Sequence, residues 1–332
     1  MGTRINYVVA TWSGERRLRV LDWGLPNEHP SQVPDLQRPR FHMPDHPMGY
    51  VRAQLKYLEW CEPKLLTQIT IMNNLNPDET PQYREFLNNL PKDILGIPVV
   101  LIDRQNIGYS FGSFSHAYEL YRKNFDYYWF TEDDYWPTQK GFDKIAYDMI
   151  QERDEQNKQN GKPPVGWLCM MATPWAWPVN GVQVTKDHAA APHGLAKSEA
   201  CEKTVQRQGF LSHKRGRVIP LDPRNKQPMT YPELCIDGQV MFSWDFVDSG
   251  YTVEDWRDRY AHYFAHENGQ IGWASARNGN EEPMIMCANG IHGGFPYGGL
   301  ADSPDRFKKP SWPVLVELYS TKPGILCSPI VE

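Results

Sequence analysis

The stretch DYYWFTEDDYWP, residues 126–137, combines two kinds of sequence that are seldom adjacent. It begins with an aromatic run typical of a buried β-strand and continues with three consecutive acids, Glu132, Asp133 and Asp134. Clustered carboxylates repel one another and lose hydration when they are buried, so we expect a cation to compensate them. In an open α/β sheet, ligands bind beyond the carboxyl ends of the strands. The stretch therefore predicts a cation-dependent ligand site at the end of a central strand.

Segments typical of strands and of helices alternate around these acids. The runs rich in β-branched residues, which predict buried strands, are 5–11, 67–74 and 97–103. The segments with apolar residues at helical spacing are 49–66, 109–124 and 140–162. This alternation predicts an α/β fold with a Rossmann-like, mostly parallel central sheet flanked by helices.

The second half of the chain has a less regular pattern. Residues 165–178, VGWLCMMATPWAWP, predict a strand that runs into an aromatic loop, and residues 241–251 predict a helix that ends at Gly250. A late strand and its loop are expected at 283–294. Because no internal repeat or low-complexity tract divides the chain, we expect a single domain over 1–332. Its halves would be 1–145 and an irregular 146–332.

The composition favours a soluble globular protein. The chain has 332 residues, of which 40% are hydrophobic and 23% are charged. No apolar run approaches the roughly 20 residues that a membrane span requires, and the first residues lack the apolar segment of a signal peptide, so we expect a cytoplasmic protein. A net charge of −5 disfavours a nucleic-acid partner. The six cysteines lack the C-x-x-C spacing typical of zinc sites.

The order of these motifs resembles that of the GT-A glycosyltransferases, particularly their broad family-2 type. The segments that carry the resemblance are VVATWSGERR (8–17), ITIMNN (69–74), VVLIDRQNIGYSFGSFSHAYE (99–119) and DYYWFTEDDYWP (126–137). Together they span roughly residues 5–145, with the acids in the place of the family's D-x-D motif. The resemblance implies an enzyme that moves a sugar from a nucleotide-diphosphate donor to an acceptor hydroxyl, with Mn²⁺ or Mg²⁺ as its metal.

The resemblance also implies which residues lie at the donor. These are Thr11, Arg16, Asn73, Asn74, Asn106, Gly108, Glu132 and Asp133. Thr11 and Arg16 would lie near the nucleotide, and Asn73 or Asn74 would contact the base, at a position where the family usually has an aspartate. Glu132 or Asp133 would face the ribose or the sugar.

The metal ligands are expected among the acids and the late histidines. The resemblance assigns Asp134 to the metal, and an acid-x-acid pattern on an extended segment would place Glu132 on the same side. His292, among glycines, would complete the site, because imidazole is compatible with Mn²⁺. His266 is the alternative, and its spacing from His262 suggests a helix.

The acceptor side would come from the second half of the chain. For an inverting transfer, the resemblance places the general base shortly before a helix, where Asp237 stands, with Glu233 in reserve. Trp175 and Trp177 lie in a proline-flanked segment where a sugar ring or a base could stack. The acceptor stays open, among a glycan, a lipid-linked glycan, a protein, a small molecule and a modified nucleobase.

Two other functions are compatible with the same features. A nucleotidyltransferase also joins an α/β sheet to an acid-bound metal, although WSGERR (12–17) is a poor phosphate loop. A non-catalytic carbohydrate-binding protein could keep the fold without the chemistry. A glycoside hydrolase is disfavoured, because adjacent acids do not flank a scissile bond.

Overall fold

The computed structural model describes most of the first two thirds of the chain and short segments of the last third. The described residues are 2–12, 49–76, 79–106, 108–179, 182–207, 231–265, 271–274 and 283–287. The helices are α1 Gly49–Cys61, α2 Pro81–Asn88, α3 Tyr109–Leu120, α4 Phe142–Gln159, α5 Ser198–Gln206 and α6 Tyr231–Asp248. None of them is long and apolar enough to cross a membrane.

The strands form two sheets. They are β1 Ile5–Trp12, β2 Leu66–Leu75, β3 Asp93–Ile94, β4 Ile97–Gln105, β5 Tyr127–Glu132, β6 Tyr135–Pro137, β7 Val165–Val179, β8 Val182–Lys197, β9 Thr252–Asp255, β10 Ala261–Ala265, β11 Ile271–Ala274 and β12 Pro283–Cys287. The larger sheet has the order β3-β4-β2-β1-β5-β8-β7-β9, and the smaller has the order β11-β10-β12-β6.

The larger sheet is mostly parallel. Strand β1 pairs in parallel with β2 and with β5, β2 pairs in parallel with β4, and β7 pairs in parallel with β9. Strand β8 is antiparallel to both of its neighbours, β5 and β7. The expected α/β fold with a mostly parallel central sheet is therefore confirmed. Strands β7, β8 and β9 belong to the second half of the chain, so both halves contribute to one sheet.

Helices cover both faces of this sheet, as the alternation along β1 requires. Tyr7 and Val9 point into one core with apolar residues of α1 and α4. Val8 and Ala10 point into the other core, which contains phenylalanines of α3 and α6. Because both faces of β1 are buried, its hydrophobic run is nearly continuous.

Three local expectations are wrong. Residues 175–178 continue strand β7 in a long hairpin with β8, so Trp175 and Trp177 lie in a strand and not in a loop. His262 lies in strand β10, which excludes the helix expected from its spacing to His266. Helix α6 begins at Tyr231, so Asp237 lies within the helix and not ahead of it.

Candidate functional site

The order of strands creates a switch point between β1 and β5. From β1 the chain moves outward to β2 and β4, and it then returns to the opposite side of β1 with β5. In open α/β sheets, the crevice for ligands forms at such a point, outside the carboxyl ends of the strands. Thr11 stands at this end of β1, and Glu132 ends β5. The fold thus brings residues predicted at the donor to the position where a ligand crevice is expected.

The acids at the end of β5 also join the two sheets. Asp133 and Asp134 form a turn, here called the acid turn, between β5 of the larger sheet and β6 of the smaller sheet. Asp133 is 2% exposed and Asp134 is 3% exposed, whereas Glu132 is half-buried. Two adjacent carboxylates are thus almost fully removed from water at the switch point, a costly arrangement unless their charge is compensated.

Hydrogen bonds fix Asp133 against the end of β1. The Thr11 hydroxyl donates to Oδ2 of Asp133 at 2.5 Å, and the Asp133 amide donates to the carbonyl oxygen of Ala10 at 3.1 Å. The Tyr83 hydroxyl lies 3.3 Å from Oγ1 of Thr11 and donates to the carbonyl oxygen of Trp12 at 2.9 Å. Thr11 and Asp133, each predicted as a donor-site residue, are therefore hydrogen-bonded to each other across the switch point.

Glu132 and Asp134 do not lie on one extended segment, so the acid-x-acid pattern does not place them on the same side. Alternation of side chains applies to an extended segment, and the segment bends at Asp133 and Asp134. Within the described residues, no three His, Cys, Asp or Glu side chains converge as a group that could hold a metal ion. Glu132 and Asp134 remain predicted ligands, and a common orientation of their side chains does not follow from the backbone.

Asn73 lies beside the switch point in a network with charged residues. Its Nδ2 donates to Oδ1 of Asp103 at 2.8 Å, and Arg84 of α2 binds the other Asp103 oxygen at 2.8 Å. Arg84 also pairs with Glu79 at 2.6 Å. Oδ1 of Asn73 is buried and has no hydrogen-bond partner. A carboxylate is thus present beside Asn73, contributed by the neighbouring strand β4.

Asn74 lies in a second network that includes a buried arginine. Its Nδ2 donates to the carbonyl oxygen of Thr11 at 3.0 Å, and its Oδ1 accepts hydrogen bonds from Arg104 and, at 3.1 Å, from Ser113 of α3. Burial lowers the pKa of Arg104 to about 10, so its guanidinium is still cationic at neutral pH. Positive charge therefore lies close to the carboxyl ends of β2 and β4.

The predicted N-x-G loop leads into α3 as expected. Gly108 precedes the helix with a φ of 74°, a left-handed conformation that glycine adopts without strain. Asn106 is nine-tenths buried, and its Oδ1 has no hydrogen-bond partner. This loop follows β4 and therefore lies at the same edge of the sheet as the acid turn.

Several predicted site residues cannot be placed at this edge. Arg16, His266 and His292 lie outside the described residues. Asp237 and Glu233 have described backbone in α6, and Trp175 and Trp177 have described backbone in β7, opposite Lys186 and Val184 of β8. Their roles stay predictions.

Two residues near the acid turn were missed by the sequence analysis. Gln54 of α1 and His193 of β8 are both fully buried and both contact the residues that flank the acid turn. A glutamine in an amphipathic helix and a histidine in the segment AAAPHGLAK (189–197) carry no motif. Only the register of β8 against β5 would have indicated His193.

A different acidic surface lies at the far edge of the sheet. It is formed around α4, β7 and β9, and these two strands are the second and the third from β5 in the sheet. Two of its carboxylates pair with arginines: Arg153 contacts Glu254 at 3.3 Å, and Arg257 contacts Asp255 at 2.7 Å. The first of these ion pairs joins α4 to β9 of the sheet.

Comparison with known proteins leaves the family open. No family model matches the sequence, and no curated protein matches it. Among solved structures, the chain is similar to a putative glucose-1-phosphate thymidylyltransferase from Bacillus anthracis in complex with a sucrose, at 13% sequence identity and a TM-score of 0.36. That match covers 82% of this chain and 90% of the other. A likeness at this level carries no argument about activity, so the α/β assignment rests on the sheet topology.

Proposed function

We propose that this chain is a metal-dependent glycosyltransferase that moves a sugar from a nucleotide-diphosphate donor to an acceptor hydroxyl. The observation that carries the proposal is the acid turn: two carboxylates, nearly fully buried, at the switch point of a mostly parallel sheet. Two buried carboxylates at the carboxyl ends of the strands are expected to bind a ligand, since stability alone would favour apolar or neutral side chains there.

The chemistry of the donor set fits a hard divalent cation. Mg²⁺ and Mn²⁺ prefer oxygen ligands, and Mg²⁺ is commonly bound by one or two carboxylates together with substrate phosphates. Asp134 would be the main ligand, with Glu132 and His292 as further candidates. When bound, such an ion neutralises the negative charge that develops on a departing diphosphate.

Residues around the acid turn would orient the donor. Thr11 donates a 2.5 Å hydrogen bond to Asp133, and Asp133 or Glu132 would face the ribose or sugar hydroxyls. Asn73 has a buried amide oxygen without a partner, which could accept a hydrogen bond from a base. Asn106 and Gly108, before α3, and Arg16 would lie along the phosphates, where the amides of a helix N-terminus favour anions.

The acceptor would bind on the side formed by the second half of the chain. In an inverting transfer, the acceptor oxygen bonds to the anomeric carbon as the bond to the diphosphate breaks, and its proton passes to a carboxylate. Asp237 is our candidate for that base, and Trp175 and Trp177 are our candidates for stacking on the acceptor. The assignment of Asp237 follows from the sequence resemblance, and those of Trp175 and Trp177 follow from their aromatic, proline-flanked segment.

The proposal is tested by donor turnover. The protein is incubated with UDP-, GDP-, CDP- and dTDP-linked hexoses in Mn²⁺ or in EDTA, with water as the acceptor hydroxyl, and the released nucleoside diphosphate is measured. The expected result is release from one donor, with Mn²⁺ only, and loss of release in Asp134→Asn. Pyrophosphate formation from a nucleoside triphosphate and a sugar 1-phosphate would instead support a nucleotidyltransferase. Sugar binding that is unaffected by EDTA, without turnover, would support the non-catalytic alternative.

A further inference from the structure

A buried glutamine bridges the two sides of the acid turn. Gln54 of α1 donates through Nε2 to the carbonyl oxygen of Glu132 at 3.3 Å and to that of Tyr135 at 2.8 Å. These two residues are the last of β5 and the first of β6, so one side chain spans the whole turn. The same nitrogen lies 3.0 Å from the Tyr7 hydroxyl in β1.

A buried histidine contacts the same two flanking residues from β8. The Glu132 amide donates to Nδ1 of His193 at 3.4 Å, and the His193 ring stacks on Tyr135. Oγ1 of Thr131 lies 2.9 Å from the same nitrogen. Because Nδ1 accepts the amide proton, the neutral ring carries its own proton on Nε2.

These contacts form one polar network beneath the acid turn. The Thr131 hydroxyl also donates, at 3.5 Å, to the carbonyl oxygen of Tyr135 that Gln54 binds, so the network runs from β1 and α1 through β5 to β8. Gln54, Tyr7, Thr131 and His193 are all fully buried. Oε1 of Gln54 is buried without a hydrogen-bond partner, so stability alone does not explain a glutamine at this position, and its contacts through Nε2 are expected to serve the geometry of the turn.

We infer that Gln54 and His193 are positioning residues that hold the acid turn in the geometry required to bind a metal-bound nucleoside diphosphate. Each of them contacts both Glu132 and Tyr135, and the two side chains come from different elements, α1 and β8. The inference rests on the proposed function, because the acid turn is the proposed site. The two side chains would act through Asp133 and Asp134 and need no contact with the ligand.

The test compares variants that remove or keep the contact. His193→Phe keeps a ring that can stack on Tyr135 and removes the acceptor for the Glu132 amide, whereas His193→Asn returns an oxygen near the position of Nδ1. Gln54→Leu removes the donor to both carbonyl groups. We expect His193→Phe and Gln54→Leu to weaken Mn²⁺-dependent binding of the preferred nucleoside diphosphate by about tenfold or more, and His193→Asn to restore most of it.

A matched control separates positioning from general stability. Thr70→Val removes the buried 2.8 Å hydrogen bond between Thr70 and Asn6, which lies in the same sheet but away from the acid turn. The control should lower thermal stability about as much as His193→Phe and leave the dissociation constant unchanged. Equal losses of affinity in His193→Phe and Thr70→Val, or no loss in either, would overturn the inference.

Amide hydrogen exchange tests the inference independently of any ligand. Exchange across residues 131–136 should be faster in His193→Phe and in Gln54→Leu than in the wild type or in Thr70→Val. If the wild-type protein binds none of UDP, GDP, CDP or dTDP with Mn²⁺, the proposed function fails while this measurement still decides whether the two residues hold the turn. Unchanged exchange in both variants would contradict the positioning role.

Discussion

Two regions of the molecule contain aspartates that are equally hidden from water, at opposite edges of the sheet. Asp143, the second residue of α4, accepts hydrogen bonds from the backbone amides of Lys64, Leu65 and Leu66, at 2.5–2.9 Å, where the chain enters β2. The acid turn lies at the carboxyl ends of the parallel strands, and there Asp133 accepts a hydrogen bond from the Thr11 side chain.

Burial of a carboxylate therefore does not by itself identify a ligand-binding site. Asp143 is surrounded by backbone donors at the amino edge of the sheet, which explains its burial by structure alone. The acid turn stands at the switch point, where ligands of α/β folds bind, and two acids are adjacent there. Position in the topology, more than burial, therefore supports the proposed site.

The largest effect is expected from removal of the Asp143 carboxylate. Asp143→Ala leaves three backbone amides without their acceptor, so we expect the free energy of unfolding to fall by about 4 kcal/mol. Urea denaturation followed by circular dichroism measures the change. Affinity for the diphosphate, measured where the variant is folded, should stay near the wild-type value, and a selective loss of affinity would contradict the assignment of Asp143 to structure.

The role of the acid turn in ligand binding is tested by Asp134→Asn. The substitution keeps the shape of the side chain and removes its charge, so we expect Mn²⁺-dependent binding of the diphosphate to weaken about 100-fold, or about 3 kcal/mol. Isothermal titration calorimetry gives the affinity, and thermal unfolding gives the stability. The melting temperature should stay equal or rise, because the repulsion between adjacent carboxylates is relieved. Unchanged affinity would remove Asp134 from the site.

A smaller effect is expected from the hydrogen bond across the switch point. Thr11→Val has nearly the same shape and loses the donor to Asp133, so we expect affinity to fall about tenfold, or about 1.5 kcal/mol. Thr11→Ser keeps the hydroxyl and is the matched control, which should bind within about threefold of the wild type. If Thr11→Val and Thr11→Ser bind the diphosphate with the same affinity, the hydrogen bond does not orient Asp133 for the ligand.

The smallest effect concerns an acid outside both regions. Glu202 of α5 accepts hydrogen bonds from Arg122 at 2.5 and 2.6 Å and from Tyr118 at 3.0 Å, and the Arg122 guanidinium with the Tyr118 hydroxyl lowers its pKa from 4.5 to about 2. Because the folded pKa lies below the unfolded one, the stabilisation is complete above about pH 4.5 and is lost as the pH falls towards 2.

Glu202→Gln should therefore cost about 1 kcal/mol of stability at pH 7, a modest value because Arg122 is partly exposed to water. The difference from the wild type should shrink below pH 4.5, as measured by denaturation at several pH values. A constant difference down to pH 2 would show that packing and not charge is responsible. Diphosphate binding should be unaffected at pH 7.

Much of the fold could be predicted from local patterns. Hydrophobic runs and helical spacing predict strands β1, β2, β4 and β5 and helices α1, α3 and α4. These elements are predictable because the residues that they bury follow a regular pattern along the sequence. Strand β8 could not be predicted in this way. Its residues, VQVTKDHAAAPHGLAK, have little β-branched content, and the strand exists because it pairs with β5 and β7.

The candidate site was predictable only in part for the same reason. The acids and Thr11 are visible in the sequence because they follow recognisable strands. Gln54 and His193 are not, since their importance lies in contacts between α1, β8 and the acid turn that depend on sheet order. The helical spacing of His262 and His266 led to a wrong prediction of a helix, because His262 lies in β10, which pairs with β11 and β12.

The most direct test of the central claim is whether metal and nucleoside diphosphate bind together at the acid turn. UDP, GDP, CDP and dTDP are each titrated into the wild type and into Asp134→Asn, with Mn²⁺ and with EDTA, and the melting temperature is followed. We expect one diphosphate to stabilise the wild type with Mn²⁺ only and not to stabilise Asp134→Asn. Stabilisation that is equal in EDTA, equal in Asp134→Asn, or absent for all four diphosphates would contradict the claim.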